Sequence, residues 1–309
     1  MSVGAPISPA AICPACSHMG VRPVTTRHGY TFVRCHVCGS TFVHPLPSAE
    51  ELAAHYQASA YFAGDEECGY YDYADMYKAL APHFERRLRV ITSHTGRSGR
   101  LLDFGCAAGY FLEIARARGW QVAGVEIAPS MAREAARRSG APVTTSLSDI
   151  PGDLFDVITM WDVIEHLPDT LAVLKQLRDR LRPGGVLMLS TPNAGHWQAF
   201  RETETWIHYR PPSHLVLFTA EGITHVLQRA GFERVVIQKV SPLPPLPGWL
   251  RRASAPLERS LATGQARAWR LARSAWFAIR VAGRCWQKLA HPTDDIFATL
   301  EVLAFQPTG

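Results

Sequence analysis

The sequence predicts an α/β fold in which a mostly parallel sheet carries helices on both faces. From Arg100 onward, short apolar runs alternate with amphipathic stretches of helical length, the pattern of strands joined by crossover helices. Glycine-bearing helix stops precede two of the strands, in "LRPGGVLMLS" and "RAGFERVVI". The first strand runs into a turn of small residues, "LLDFGCAAGYF" at 101–111, which is typical of the ligand-binding edge of such a sheet.

Each element follows from this alternation. Strands are predicted at 100–104, 121–126, 155–160, 185–190, 233–240 and 299–306. Helices are predicted at 109–118, 129–138, 169–181 and 219–230. The predicted domains are a zinc ribbon at 1–47, a helical cap at 48–98 that begins with a Ser48/Glu51 capping box, and an α/β domain at 99–309 with a basic helical insertion at 241–295.

Composition limits the broad class of protein. A chain of 309 residues with 47 % hydrophobic content buries a full core. No apolar run approaches the ~18–20 residues that cross a bilayer, and the N-terminal residues lack the features of a secretory signal, so we expect a cytoplasmic protein. The net charge of +5 is concentrated at 251–290, which holds nine basic residues and one acidic residue. Attraction to an anionic partner is therefore expected only of that segment.

The turn after the first strand indicates the kind of ligand. Asp103 stands two residues before Gly105, where it would repel a pyrophosphate and favour a positively charged amino acid. Glu126 ends the second strand, where a carboxylate accepts two hydrogen bonds from a ribose diol. These residues predict an adenosyl amino acid as the ligand rather than a dinucleotide.

Four motifs in order carry a resemblance to a known family. "LLDFGCAAGYF", "GVEIAPSM", "FDVITMWDVIEHLPD" and "LRPGGVLMLSTPN" resemble the class I S-adenosylmethionine-dependent methyltransferases of types 11 and 23 over about residues 100–240. The resemblance implies a Rossmann-like sheet with an antiparallel last strand, and S-adenosylmethionine as the methyl donor. The cofactor-binding residues it implies are Asp103, Gly105, Ala107, Gly109, Glu126, Ile127, Ser148, Asp149 and Trp161. In that set, Ile127 would pack on the adenine, Ser148 or Asp149 would meet its edge, and Trp161 would lie beside the sulfonium.

Two histidines are candidate bases for a hydroxyl acceptor. His166 follows the strand at 155–160, and His214 lies in a loop rich in Pro, Tyr and His that suits a lid. Each is also interpretable as a packing residue. Asp162-x-x-Glu165-His166 resembles the ExxEH run of ubiquinone-biosynthesis O-methyltransferases, which is associated with a divalent metal, so a divalent cation is a further hypothesis here. The absence of a [D/N]PPY tetrapeptide argues against methylation of exocyclic base nitrogens.

Two CxxC pairs predict a structural zinc site. Cys13 and Cys16 are separated by 18 residues from Cys35 and Cys38, a spacing that allows one tetrahedral Zn²⁺. The region contains no lysine, so bracing of the substrate side is favoured over nucleic-acid binding. The other cysteines, Cys68, Cys106 and Cys285, are expected to be ordinary thiols. A four-Cys ribbon followed by a helical cap is similar to the front of deoxysugar C-methyltransferases, whose large C-terminal domain is missing here.

The segment 267–289 predicts an amphipathic helix. Its basic side comprises Arg270, Arg273, Arg280, Arg284 and Lys288. Its apolar side comprises Trp269, Leu271, Trp276, Ile279, Ala282, Trp286 and Leu289, while Phe277 and Val281 break the pattern. An interfacial membrane helix, a helix packed on the domain or in a dimer, and an RNA-binding helix all remain open.

These observations give one leading hypothesis and three alternatives. The leading one is methyl transfer from S-adenosylmethionine to a hydroxyl of a small metabolite, sugar or lipid-linked glycan, with peripheral membrane contact through residues 250–290 and no nucleic-acid partner. The alternatives are an RNA or protein methyltransferase that docks through the ribbon and basic helix, a sugar C-methyltransferase, and a non-catalytic scaffold.

Overall fold

Two sheets organise the chain in the computed structural model, which describes residues 11–57, 73–150, 154–241, 269–290 and 292–308. The smaller sheet has the order β1-β2-β3-β9. Its strands are β1 Val21–Arg27, β2 Tyr30–Cys35, β3 Thr41–Val43 and β9 Val216–Leu217. Because β9 comes from the α/β domain, the N-terminal ribbon is completed by a strand more than 170 residues away.

The larger sheet has seven strands in the order β10-β11-β8-β7-β4-β5-β6. They are β4 Arg100–Phe104, β5 Gln121–Val125, β6 Val143–Thr144, β7 Phe155–Trp161, β8 Leu181–Pro192, β10 Arg234–Val240 and β11 Thr299–Phe305. All pairs from β6 to β8 are parallel, whereas β11 is antiparallel to both of its neighbours. All six predicted strands and the antiparallel last strand are confirmed; β6, which has only two residues, was not predicted.

Helices cover both faces of this sheet. They are α1 Ala49–Gln57, α2 Tyr73–Thr95, α3 Tyr110–Ala117, α4 Pro129–Ser139, α5 Thr170–Asp179, α6 Gln198–Arg201, α7 Ala220–Arg229 and α8 Trp269–Ala290. The predicted capping box is present at the start of α1. The Ser48 amide donates to Glu51 Oε2 at 2.7 Å, and the Glu51 amide donates to Ser48 Oγ at 3.1 Å.

The ribbon shares its core with the α/β domain. Buried Val33 and Phe42 of the ribbon belong to the same apolar cluster as Phe218, Ile223 and Leu227 around α7. On the opposite face of the large sheet, a second cluster joins α2 to α3 through buried aliphatic and aromatic side chains. The ribbon is thus packed as a layer of the fold and is not tethered by a linker alone.

Helix α8 exposes much of its apolar surface. Gly283 is buried and Ile279 half-buried, but Phe277, Val281, Trp286 and Leu289 are all exposed. The predicted apolar side is therefore only partly correct, because Trp286 and Leu289 are exposed together with Phe277 and Val281. None of the helices in the described ranges has the length and apolarity needed to span a bilayer.

Some predicted features lie outside what the structure describes. They are Cys68, residues 242–268 of the insertion, and the side chains of Trp269, Arg270, Leu271, Arg273, Trp276, Arg280 and Arg284.

Candidate active site

Asp103 is a buried acid near the carboxyl end of β4. Its Oδ1 accepts a hydrogen bond from the Thr159 hydroxyl at 2.7 Å, and only 2 % of the residue is exposed. Burial raises the pKa of Asp103 to about 7, and the nearby Glu126 carboxyl acts in the same direction. None of the basic side chains in the described ranges forms an ion pair with Asp103, and a buried acid of this kind favours a positively charged ligand.

The small-residue turn after Asp103 depends on left-handed backbone conformations. Gly105 has a φ of 80°, and a Cβ added there would lie 2.4 Å from Val163 Cγ2. Ala107 adopts a φ of 45° although it carries a side chain. Its amide donates to Glu126 Oε2 at 2.9 Å, and this bond holds the turn in place. Gly109, with a φ of 79°, then starts α3.

Glu126 connects this turn to the next helix. Its second oxygen, Oε1, accepts from the Ala128 amide at 2.9 Å at the start of α4. Burial raises the pKa of Glu126, and the backbone amides of Ala128, Ala107 and Ile127 oppose that rise. A carboxylate accepts about four hydrogen bonds, so the Glu126 side chain keeps capacity for a further donor beside these amides. The bond to a ribose diol stays a prediction.

The residues predicted to meet the adenine lie on the surface beside this acid. Ile127 is 65 % exposed directly after β5. Ser148 and Asp149 are exposed in a short 3-10 turn, where the Ser148 hydroxyl donates to Asp149 Oδ1 at 3.1 Å. An exposed isoleucine beside a buried acid offers an apolar surface that a flat ring can cover, and the adenine contacts themselves remain predictions.

Arg87 of α2 is a site residue that the sequence did not reveal. Its guanidinium carbon lies 4.4 Å from the centre of the Trp161 ring, and its Nε donates to Glu301 Oε1 at 3.1 Å. Its charge also lowers the pKa of Asp103 and Asp162 against the effect of burial. The sequence signal was an arginine on an amphipathic helix, which does not indicate the direction in which the side chain points.

Three neighbouring strands present buried polar atoms beneath Arg87. Trp161 pairs with Ser190 in register, and Ser190 pairs with Glu301. Trp161 Nε1 and Glu301 Oε2 are buried and have no hydrogen-bond partner among the described residues, whereas the Ser190 hydroxyl bonds to the Asp162 carboxyl and lowers its pKa. Buried polar atoms without partners are unfavourable, so this row is suited to meet a polar ligand or water.

A second set of site residues follows Trp161. Asp162 adopts a left-handed φ of 53° and turns the chain into the short helix Ile164–His166. The turn directs Glu165 inward, where its Oε2 accepts from the Thr191 hydroxyl at 3.0 Å. Burial raises the pKa of both acids, and Asp162 adds to the rise at Glu165.

The two candidate bases lie together. The rings of His166 and His214 are perpendicular, with centres 4.9 Å apart. Each Nδ1–H donates to a backbone carbonyl at 2.8 Å, from His166 to Ser213 and from His214 to His208. At His214 this bond fixes the tautomer that leaves Nε2 as the basic nitrogen, whereas the Asp162 backbone carbonyl also bonds to the His166 ring. Burial lowers the pKa of His166 to about 4 and that of His214 well below its usual range, so both rings are neutral at pH 7.

The same region has the ligand types of a cation site. One donor atom each from Glu165, His166 and His214 lie within 4.8 Å of one another. Asp162 is not in this group, which corrects the ligand set expected from the sequence. The left-handed turn at Asp162 separates it from Glu165, and the loop after β8 brings His214 in its place.

The four predicted ribbon cysteines converge. The Sγ atoms of Cys13 and Cys38 lie 3.6 Å apart, as do those of Cys16 and Cys35, and all four lie within 4.8 Å. A tetrahedron of sulfurs at ~2.3 Å from Zn²⁺ has edges of about 3.8 Å, so this donor set fits the ion. Of the remaining cysteines, Cys106 is buried and Cys285 exposed.

Comparisons with known proteins agree with this architecture. A family model described as "Methyltransferase domain" matches residues 71–237. A ubiquinone biosynthesis O-methyltransferase from Idiomarina loihiensis is 35 % identical over 132 residues, which are 39 % of this chain and 51 % of that protein. One from Cereibacter sphaeroides is 36 % identical over 122 residues, 37 % of this chain and 49 % of its own. The chain thus spans about half the length of the curated relatives it matches.

Among solved structures, a protein from Galdieria sulphuraria assigned as a sarcosine dimethylglycine methyltransferase superposes with a TM-score of 0.50 at 17 % identity, covering 75 % of this chain and 88 % of that one. This likeness concerns the fold alone. The family model spans more than half of the 309 residues, and the chain therefore belongs to the class I S-adenosylmethionine-dependent methyltransferases.

Proposed function

We propose that the protein transfers a methyl group from S-adenosylmethionine to a hydroxyl group of a small molecule. The observation that carries the proposal is the pair of buried acids, Asp103 and Glu126, at the carboxyl ends of adjacent parallel strands. A ligand with a cationic amino-acid end and a ribose matches both acids. The O-methyltransferase relatives support oxygen as the acceptor atom.

The residues around these acids bind and orient the donor, which supplies a sulfonium-bound methyl for in-line displacement. Asp103 accepts hydrogen bonds from the ammonium. Arg87 lies close enough to act on the pKa of Asp103, so its guanidinium holds the carboxylate of the same amino acid. Glu126 binds the ribose, and Ile127 covers the adenine, with Ser148 or Asp149 at its edge. Trp161, stacked against Arg87, shields the sulfonium end from water.

His214 and His166 are the proposed bases for the acceptor. Both rings are neutral at pH 7, and His214, which is held through Nδ1, offers an Nε2 lone pair to take the hydroxyl proton as the methyl is transferred. His214 is the stronger choice because it belongs to the loop after β8, which lies over the same strand ends as the donor residues.

Two metal ions complete the proposal. Zn²⁺ is held by Cys13, Cys16, Cys35 and Cys38 as a structural ion, and the sulfur distances support it. A divalent cation is proposed at Glu165, His166 and His214. Backbone carbonyls that accept from Nδ1 of both histidines resemble the outer-shell bonds that orient metal-binding imidazoles. His214 cannot bind the cation and act as the base at the same time, because both roles need the lone pair of Nε2.

The acceptor class is a small metabolite, a sugar or a lipid-linked glycan. The exposed apolar residues of α8, with Lys288 exposed on the same helix, support peripheral contact with an anionic membrane. Such contact favours an acceptor carried in the lipid phase over a freely diffusing one.

Calorimetric titration of S-adenosylmethionine and S-adenosylhomocysteine into the zinc-loaded protein tests the donor site. We expect micromolar binding that Asp103→Ala and Glu126→Ala abolish, with Asp179→Ala, a surface acid at the far end of α5, as the matched control. Incubation of the protein with methyl-labelled S-adenosylmethionine and phenolic, sugar or glycolipid acceptors then shows which acceptor takes up the label. Failure of the wild-type protein to bind either ligand would remove the proposed function.

A further inference from the structure

We propose that the four-cysteine ribbon is a metal-dependent scaffold for the loop at 194–214, and that Arg34 is the positioning residue that joins the two. The loop carries His208 and His214, so the inference rests on the proposed function where it concerns the acceptor. Its structural content, that metal binding orders this loop and leaves the donor site unaffected, is testable without any acceptor.

Arg34 lies on β2 with its side chain in the interior, and the residue is only 4 % exposed. Its Nη2 donates to the Ala199 carbonyl at 2.7 Å and to the Tyr209 hydroxyl at 3.1 Å. The Phe200 ring covers the guanidinium carbon at 3.8 Å. No carboxylate of the described residues forms an ion pair with Arg34, so its buried charge is satisfied chiefly by groups from the loop.

The loop also depends on the ribbon for its apolar core. Phe32 and Val43 of the ribbon form one buried cluster with Ala199, Trp206 and Tyr209. The rings of Phe32 and Tyr209 are centred 4.8 Å apart. A loop of about twenty residues whose only helix, among the described residues, is the four-residue α6 has little internal stability, so this external surface supplies most of its packing.

A chain of backbone bonds links the ribbon to the candidate bases. The Val43 amide donates to the Leu215 carbonyl at 2.9 Å, and the Leu215 amide donates to the Glu165 carbonyl at 2.7 Å. Leu215 directly follows His214, and Glu165 directly precedes His166. Strand β3 therefore fixes the backbone next to both imidazoles.

The metal site controls the relative position of these contacts. Cys35 follows Arg34 at the end of β2, and Cys38 lies just before β3, which contains Val43. The Cys38 carbonyl also accepts from the Thr219 hydroxyl at 2.5 Å at the start of α7. One ion holds the Cys13–Cys16 and Cys35–Cys38 pairs at a single point, so loss of the metal releases the β2 and β3 contacts on which the loop depends.

Hydrogen–deuterium exchange on the full chain tests the scaffold. The perturbations are removal of zinc by a chelator and Arg34→Met, with Arg22→Met as the matched control because Arg22 pairs with Arg34 in register but is exposed. In both perturbed proteins we expect amides at 194–217 to exchange at least about tenfold faster, while the turn at 101–112 and the affinity for S-adenosylmethionine are unchanged. Arg34→Lys, which keeps the charge, should restore part of the protection.

Two results would overturn the inference. One is unchanged protection of 194–217 in chelated wild-type protein and in Arg34→Met. The other is equal loss of protection at 101–112 together with loss of donor binding, because the ribbon would then stabilise the whole domain rather than the loop. Absence of donor binding in the unperturbed protein would count against the proposed function alone, since the exchange pattern is read independently. With an acceptor identified, Arg34→Met should raise its KM more than it lowers kcat.

Discussion

The buried carboxyl of Asp103 should make the free protein less stable as the pH rises. Its pKa is about 7 in the fold against an ordinary value of 3.8. Between these values the unfolded chain is ionised at this residue and the folded chain is not, so the free energy of unfolding falls by about 1.4 kcal/mol per pH unit. Above pH 7 the free energy of unfolding no longer changes with this residue, and the total decrease is about 4 kcal/mol. A cationic ligand that pairs with Asp103 would recover part of it.

Asp103→Asn removes the charge and keeps an oxygen that accepts from Thr159. We expect the stability of the variant relative to wild type to rise by about 2 kcal/mol from about pH 5.5 to pH 7 and then level off. At about pH 8 its affinity for S-adenosylmethionine should fall by at least about tenfold, because the ammonium loses its charged partner. Urea unfolding of the zinc-loaded proteins across this pH range gives the first quantity, and calorimetry gives the second.

Asp149→Asn is the matched control, since Asp149 is an exposed acid of the same site. Its stability difference from wild type should not vary over this pH range. If the Asp103→Asn difference is likewise independent of pH, Asp103 does not carry a raised pKa and the electrostatic reasoning for the donor site is refuted.

Three further predictions concern the donor, the base and the membrane. Arg87→Met should lower the affinity for S-adenosylmethionine about 10–100-fold and leave the affinity for methylthioadenosine, which lacks the amino acid, unchanged. The control is Arg89→Met, at an exposed position of the same helix. An equal loss of affinity for both ligands would contradict a carboxylate contact. His214→Gln should slow methyl transfer about 10²–10⁴-fold with unchanged donor affinity, unlike the surface variant His225→Gln. Because the pKa of His214 is lowered, wild-type kcat/KM for the acceptor, measured with saturating S-adenosylmethionine so that the ionisation of Asp103 does not enter, should not fall between about pH 8 and pH 6, and an acidic limb near pH 6.5 would argue against this base. The protein should sediment with phosphatidylcholine vesicles only when they contain added phosphatidylglycerol. The double variant Phe277→Ser/Leu289→Ser should no longer sediment with them, whereas the control Ile12→Ser should. Vesicle binding that persists in the double variant would exclude α8 as the contact.

The sequence predicted the parts of the fold that depend on local pattern. The alternation of strands and helices follows from apolar periodicity, and the Ser48 capping box and the cysteine pairs follow from short fixed spacings. The elements it missed, β6, β9 and α6, contain two to four residues, too few to establish a period. Their existence depends on partners remote in sequence.

The residues of the candidate site likewise fall into those that local sequence predicted and those that depend on tertiary contacts. Asp103 and Glu126 were recognisable because each lies at the carboxyl end of a predicted strand, where a sheet of this kind binds its ligand. Arg87 was not, because its role depends on how α2 lies across β7 and β11, which is a tertiary relation. The replacement of Asp162 by His214 in the cation group likewise depends on a left-handed residue and on a loop that returns from beyond β8.

The position of β11 has a consequence for synthesis of the chain. This strand lies between β8 and β10 and pairs along its whole length with both, yet it is made last of the three. One edge of β8 therefore stays unpaired while the ribosome translates the segment from Pro192 to Thr299, which takes roughly 5–20 s at common rates of elongation. An exposed apolar edge of that kind is a target for chaperones and for aggregation. Glu301, a charge in the middle of the arriving strand that Arg86 and Arg87 neutralise, disfavours insertion of any other strand into this gap.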